Sequence, residues 1–184
     1  SSDVCSSDLS INKLTDHEKS EIKEKLQVVP TNQATLAHFA AERGLGGCLS
    51  VLHAVGMDLD IQYNNGFTPL VLAAEKGHAE VVKLLLEKGA KTDIKNTQGF
   101  TPLHIAAQNG HAEVVELLLG HGAEKDILND TLILPLHRAA FHGHTDVVKL
   151  LLGHEADPNI QDNLGLTPLL LAAQNGFTKM VELL

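Results

Sequence analysis

Tryptophan is absent from this chain, tyrosine occurs once, and aromatic residues make up only 3% of it. A core filled by large aromatic rings is excluded, and close packing between small side chains is expected instead. Cysteine is nearly absent too. Cys5 and Cys48 form neither a C-x-x-C pair nor a set of metal ligands, and so sparse a usage suits a reducing compartment, so a cytoplasmic location is expected. Basic residues are in deficit, with 14 Lys and Arg against 23 Asp and Glu, a formal charge of −9. That balance argues against sequence-independent nucleic-acid binding, which needs clustered cations to displace counterions, and against docking on an anionic membrane. No apolar stretch approaches the ~20 residues that span a bilayer. A basic segment followed by an apolar one, the mark of a signal peptide, is lacking as well.

What the chain has instead is a period. Thr68-Pro69-Leu70, Thr101-Pro102-Leu103, Leu134-Pro135-Leu136 and Thr167-Pro168-Leu169 recur every 33 residues. Alanine pairs keep the same register at Ala40-Ala41, Ala73-Ala74, Ala106-Ala107, Ala139-Ala140 and Ala172-Ala173, and glycines follow at Gly44, Gly77, Gly110, Gly143 and Gly176. Leucine runs come next, at 84–86, 117–119, 150–152 and, unfinished, 183–184. A fixed period of this length means one small supersecondary unit copied in tandem and stacked, without a single central core.

Read in that register, residues 31–63 form a first, divergent unit, followed by 64–95, 96–128, 129–161 and a truncated 162–184. Leu184 stops partway through its unit, so the chain is expected to be a fragment of a longer protein. Residues 1–11, with Ser-Ser-Asp duplicated, read as a disordered tail resembling a cloning remnant. Residues 12–30 read as an amphipathic helix that lids the first unit: Thr15 and Glu18 form a capping box, Ile22 and Leu26 share a face, and Pro30 ends it.

Within residues 96–128, Asn96 to Phe100 is turn chemistry, Thr101 can cap a helix with its hydroxyl, and Pro102 sits where a missing N–H costs nothing. Leu103, Ile105, Ala106 and Ala107 make a buried side, and Asn109-Gly110 turns the chain. Ala112 to Leu119 form a second helix, capped by Gly122, before an extended segment at Asp126-Ile127.

The run from Gly99 to Leu119 (Gly-Phe-Thr-Pro-Leu-His-Ile-Ala-Ala-Gln-Asn-Gly-His-Ala-Glu-Val-Val-Glu-Leu-Leu-Leu) resembles the ankyrin repeat almost position for position, and the resemblance covers roughly residues 31 to 184. It implies an all-α repeat solenoid with short β-hairpin loops, in which hairpin tips lie on one edge, first helices line a concave groove and second helices form the convex back. The departures are informative. Leu36 stands in for proline in the first unit and Leu45 for the later histidine. In the fourth, Leu132 replaces a turn glycine, Leu134 the capping threonine and Glu155 a helix-capping glycine. A lost N-cap costs ~1 kcal/mol and a left-handed Glu about as much, so this unit should be locally weak.

Eleven histidines invite a metal reading. His78, His111 and His144 occupy one slot in successive units, yet packed helices lie ~8–10 Å apart, whereas ligands sharing one zinc at ~2.0–2.1 Å lie far closer together. The rings are expected to hydrogen-bond backbone groups of the turns, as are His104 and His137. Gly46-Gly47 is a turn, no nucleophile–base arrangement or phosphate-cradling loop appears, and His38 with Cys48 reads as packing. Neither enzymatic function nor a cofactor is expected.

Surface recognition of a protein partner, by a monomer, is the expected function. The positions that vary while the scaffold repeats are the tips Asn64-Asn65, Thr97-Gln98, Asp130-Thr131 and Asn163-Leu164, and the groove pairs Glu75-Lys76, Gln108-Asn109, Phe141-His142 and Gln174-Asn175. Phe67, Phe100, Ile133 and Leu166, just before the capping position, read mainly as loop packing. The sharpest anomaly is Arg138, where other units have Phe39, Leu72, Ile105 and Leu171; Phe141 stands where they have Glu or Gln. Arg138, Phe141 and His142 share one helix face at i, i+3 and i+4, and Arg and aromatic groups are common interface anchors. They are expected to centre a partner patch edged by Ile133. The competing expectation is a substrate-selecting or regulatory arm of a larger enzyme or channel beyond Leu184.

Overall fold

A computed structural model of the protein describes residues 15–17, 20 and 36–184. The expected tail at 1–11 lies outside them, as does the capping helix at 12–30 with its Thr15–Glu18 box, apart from the helical Asp16, His17 and Ser20. Among the described residues helices follow one another in pairs: α1 (Leu36–Glu42) and α2 (Gly46–Ala54), α3 (Pro69–Lys76) and α4 (Ala79–Glu87), α5 (Pro102–Asn109) and α6 (Ala112–Gly120), α7 (Pro135–His142) and α8 (Thr145–Gly153), α9 (Pro168–Gln174) and α10 (Thr178–Val181). The chain divides into two compact units, one ending at Lys91 and the other running from Thr92 to Leu184. In the first, α1 packs on α3 and α2 on α4; in the second, α5 packs on α7 and α7 on α9, with α6 on α8 and α8 on α10.

Each first helix starts and stops where its sequence says it should. Thr68, Thr101, Leu134 and Thr167 hold extended backbone at the N-cap, with proline next, and Gly77, Gly110 and Gly143 close α3, α5 and α7 in the left-handed conformation. Gly110 has a second reason to lack a side chain, because a Cβ there would meet the His144 ring at 2.5 Å. The alanine pairs of α1, α3, α5 and α7 are buried, as are Val81, Val82, Leu85 and their counterparts on α6 and α8.

The expected β-hairpin loops are not strands among the described residues; only the isolated bridge Tyr63–Phe67 has β character. In the second unit each loop keeps one backbone bond of that kind, Asn96 N–H to Phe100 O, Asn129 N–H to Ile133 O and Asp162 N–H to Leu166 O, and closes further on its own side chains. Asn96 Oδ1 accepts from the N–H groups of Gln98 and Phe100, Asn129 Oδ1 from those of Thr131 and Ile133, and Asp162 Oδ1 from those of Leu164 and Leu166. Such Asx turns occupy the amides a strand ladder would use.

Side chains bind each pair to the next within a unit. In the first, His38 Nε2 donates to Phe67 O, His78 Nε2 to Glu42 O, and Asp60 accepts from the Lys91 N–H at 2.9 Å. In the second, His104 Nε2 donates to Ile133 O, His137 to Leu166 O and His144 to Gln108 O. The partners are backbone groups of the neighbouring repeat: loop carbonyls at Phe67, Ile133 and Leu166, and last-turn helix carbonyls at Glu42 and Gln108. The Asp60 bond recurs as Asp93 with Glu124 and Asp126 with Asp157.

The fourth repeat carries its departures as strain. Leu132 adopts φ 57° and Glu155 φ 63°, where the neighbouring repeats place Gly99 (77°) and Gly122 (82°). The lost threonine leaves the start of α7 without a hydroxyl cap, although the Leu134 N–H keeps the bond to His137 Nδ1 at 3.2 Å that Thr101 makes to His104.

Candidate functional site

In the second unit, the loops before α7 and α9 and the facing sides of those helices enclose a cavity of about 250 Å³. Ile133, Arg138, Phe141, Leu164 and Gln174 line it, together with His137, Asp162, Leu166 and Leu171. Its walls are held at the backbone. The Ile133 N–H is bound by Asn129 Oδ1 at 2.8 Å and its carbonyl by His104 Nε2 at 2.9 Å; Leu166 is bound the same way by Asp162 Oδ1 at 2.9 Å and His137 Nε2 at 3.1 Å.

Arg138 is the cation of this cavity. Its guanidinium carbon lies 4.3 Å from the centre of the Phe100 ring, and Phe100 in turn meets His104 edge-on. Its Nε is buried without a hydrogen-bond partner, and burial holds the guanidinium below its usual pKa. Phe141, one turn along α7, leaves 47% of its surface exposed and Leu164, on the loop before α9, leaves 76%. The site therefore combines a half-buried cation whose Nε lacks an acceptor with apolar groups short of cover.

His104 and His137 are neutral partners here rather than charges. Burial pushes His104 down to about 4, against the raising effect of its bond to Ile133 O, and lowers His137 likewise. Because Nε2 donates to a carbonyl, Nδ1 is the acceptor, and Thr101 places both its N–H (3.2 Å) and its hydroxyl (2.9 Å) against that atom in His104. Thr68 and Thr167, followed three residues on by Val71 and Leu170, cap those amides directly instead.

The expected recognition residues fall into several places. Asn64, Asn65, Glu75 and Lys76 belong to the first unit, where Glu75 and Lys76 pair at 2.9 Å. In the second unit, Ile133, Arg138, Phe141, Leu164 and Gln174 come together. His142 does not join them: its ring lies edge-on to Phe141 at 5.1 Å and stacked on His144 at 6.1 Å. Thr97, Gln98, Asp130, Thr131 and Asn163 are exposed on loops outside the lining, while Gln108 and Asn109 end α5. Asn175 donates its side-chain amide to Leu171 O, finishing α9. The sequence did not single out Asp162 as a lining residue; its signal was the Asx position repeated at 96, 129 and 162. Phe100 proved to be both loop packing and the platform under Arg138. Among the described residues no cluster of His, Cys, Asp or Glu could hold a metal ion, and no helix is long and apolar enough to cross a membrane.

Residues 37–130 match the family model described as ankyrin repeats (3 copies), and residues 136–184 match that described as ankyrin repeats (many copies). The chain belongs to the ankyrin-repeat family, and its fold is the all-α, ankyrin-repeat helical solenoid class. Ankyrin repeats are generally protein–protein interaction modules, typically non-catalytic. A search of the curated proteins finds no match.

Proposed function

We propose that the chain is a non-catalytic recognition module that docks a protein partner on the Arg138–Phe141 cavity, with the neighbouring loop tips as a rim. One observation carries this reading. At the α7 position where Leu72, Ile105 and Leu171 are buried, this chain sets a half-buried arginine stacked on Phe100, beside an exposed Phe141. Interface hot spots are enriched in arginine and aromatic residues set in pockets that exclude water. Thr97, Gln98, Asp130, Thr131 and Asn163 are polar and exposed, as the rim of a recognition surface should be.

The test is photo-crosslinking from position 164 in the intact chain, followed by identification of the captured protein. Alanine at both Arg138 and Phe141 is expected to abolish that capture while leaving the melting transition in place. Capture that survives the double substitution sinks the reading.

A further inference from the structure

We infer that the cavity takes a peptide segment presenting a carboxylate next to a bulky apolar side chain, the carboxylate on Arg138 and the apolar group between Phe141, Leu164 and Leu171. The inference rests on the docking reading above and gives the partner its chemistry. Its first support is the state of Arg138. Nε is buried and has no acceptor, and no ion pair engages the guanidinium among the described residues. The cavity's own acid does not meet this need: Asp162 forms no ion pair with Arg138, and its Oδ1 is turned to two loop N–H groups. A half-buried guanidinium that lines the cavity and has no ion pair is matched best by a carboxylate, which can take two of its N–H groups at once.

The second support is size. About 250 Å³ falls below the ~300–1,000 Å³ typical of small-molecule sites, and its open side is flanked by Phe141 and Leu164, both well exposed. Such a space suits one or two side chains of a larger partner. The third support is the rigid frame. With the guanidinium carbon 4.3 Å from the centre of the Phe100 ring, the side chain is held before any partner arrives, so less side-chain entropy is lost on binding. The chain's formal −9 opposes an acidic partner only at long range, where salt screens it beyond ~8 Å; the pair acts at contact.

The experiment selects binders to the whole 184-residue chain from a displayed library of random peptides. The best peptide and its acid-to-amide version are then titrated by fluorescence anisotropy. Selected peptides are expected to pair Asp, Glu or a terminal carboxylate with a bulky apolar residue. Amidation should weaken binding about tenfold to a hundredfold, and this preference should collapse on Arg138→Gln. Peptides that need Phe141 but are indifferent to amidation overturn the inference while the docking reading stands. If no peptide depends on Arg138 or Phe141, both fall. The amidated peptide tests the idea with the protein unaltered, so a folding defect in a variant cannot mask the result.

Discussion

Replacing Arg138 with leucine should stabilise the protein while removing its binding. Leucine or isoleucine fills this position at Leu72, Ile105 and Leu171, each less than a tenth exposed, so the side chain fits the repeat. Three terms set the balance. Losing the guanidinium from Phe100, at 4.3 Å, costs ~1 kcal/mol for a half-buried cation–π pair. Removing a buried donor that has no acceptor returns ~1–3 kcal/mol. Covering apolar surface with leucine, partly exposed here beside the open cavity, adds ~1 kcal/mol. The net is a gain of ~1–3 kcal/mol, or a melting temperature several degrees higher for a chain of this size. Urea midpoints of the two proteins, read alongside the anisotropy titration, make the check. A loss of stability would show that the stacked guanidinium is worth more than its desolvation. Arg138 would then belong to the scaffold, and the cavity would not be a site built at the scaffold's expense.

Further outcomes follow from the backbone strain and the buried histidines. Glu155→Gly should raise stability by ~0.5–1 kcal/mol: relief of left-handed strain at φ 63°, ~1–2 kcal/mol, is offset by the greater freedom of glycine in the unfolded chain, ~0.4–1 kcal/mol. Its mirror, Gly122→Ala at φ 82°, has nothing within 4 Å of the new Cβ and should lower stability by about as much; an unchanged urea midpoint there refutes the strain reasoning. Acid should weaken the fold through His104, whose ring takes a proton near 6.5 when unfolded but only near about 4 when folded. Between those values the unfolded chain holds more protons, so stability is full above pH 6.5 and falls toward pH 4, by up to ~3 kcal/mol. His104→Val, which copies the residue at the equivalent Val71, should flatten that slope and cost ~1–3 kcal/mol at neutral pH by stranding Ile133 O; an unchanged slope in urea midpoints from pH 7.5 down to 4.5 would refute it.

The fold was legible because its determinants are local and repeated. Proline at a helix start, after threonine in three of the four, and glycine at or just past its end act within one turn, so reading them at 33-residue spacing places α3, α5, α7 and α9 without tertiary information. That the loops of the second unit form no strands was not legible, because composition says "turn" but not which acceptor takes the amides of Phe100, Ile133 and Leu166, and Asn96, Asn129 and Asp162 take them. Half of the site was legible for the opposite reason. Arg138 and Phe141 stand out only against the period they break. Their other wall, Asp162, Leu166 and Leu171, conforms to the pattern and comes from the next repeat, so only packing α7 on α9 could assign it.

The bonds that repeat and the side chains that do not are joined at two residues. Ile133 and Leu166 line the cavity, and each is held at both its N–H and its C=O: an Asx oxygen on one side, a buried histidine on the other. Those four holding groups, Asn129, His104, Asp162 and His137, are scaffold positions that recur by period. The strain of the fourth repeat sits elsewhere, in the backbone of Leu132 and Glu155 and in the cap lost at Leu134. A wall fixed through its main chain keeps its place whatever side chain it displays. The repeat can therefore exchange a buried leucine for Arg138 and a polar surface residue for Phe141 without moving the groups that face them. On this view, removing a holding histidine should blur the cavity, whereas changing Arg138 or Phe141 should only change what it accepts.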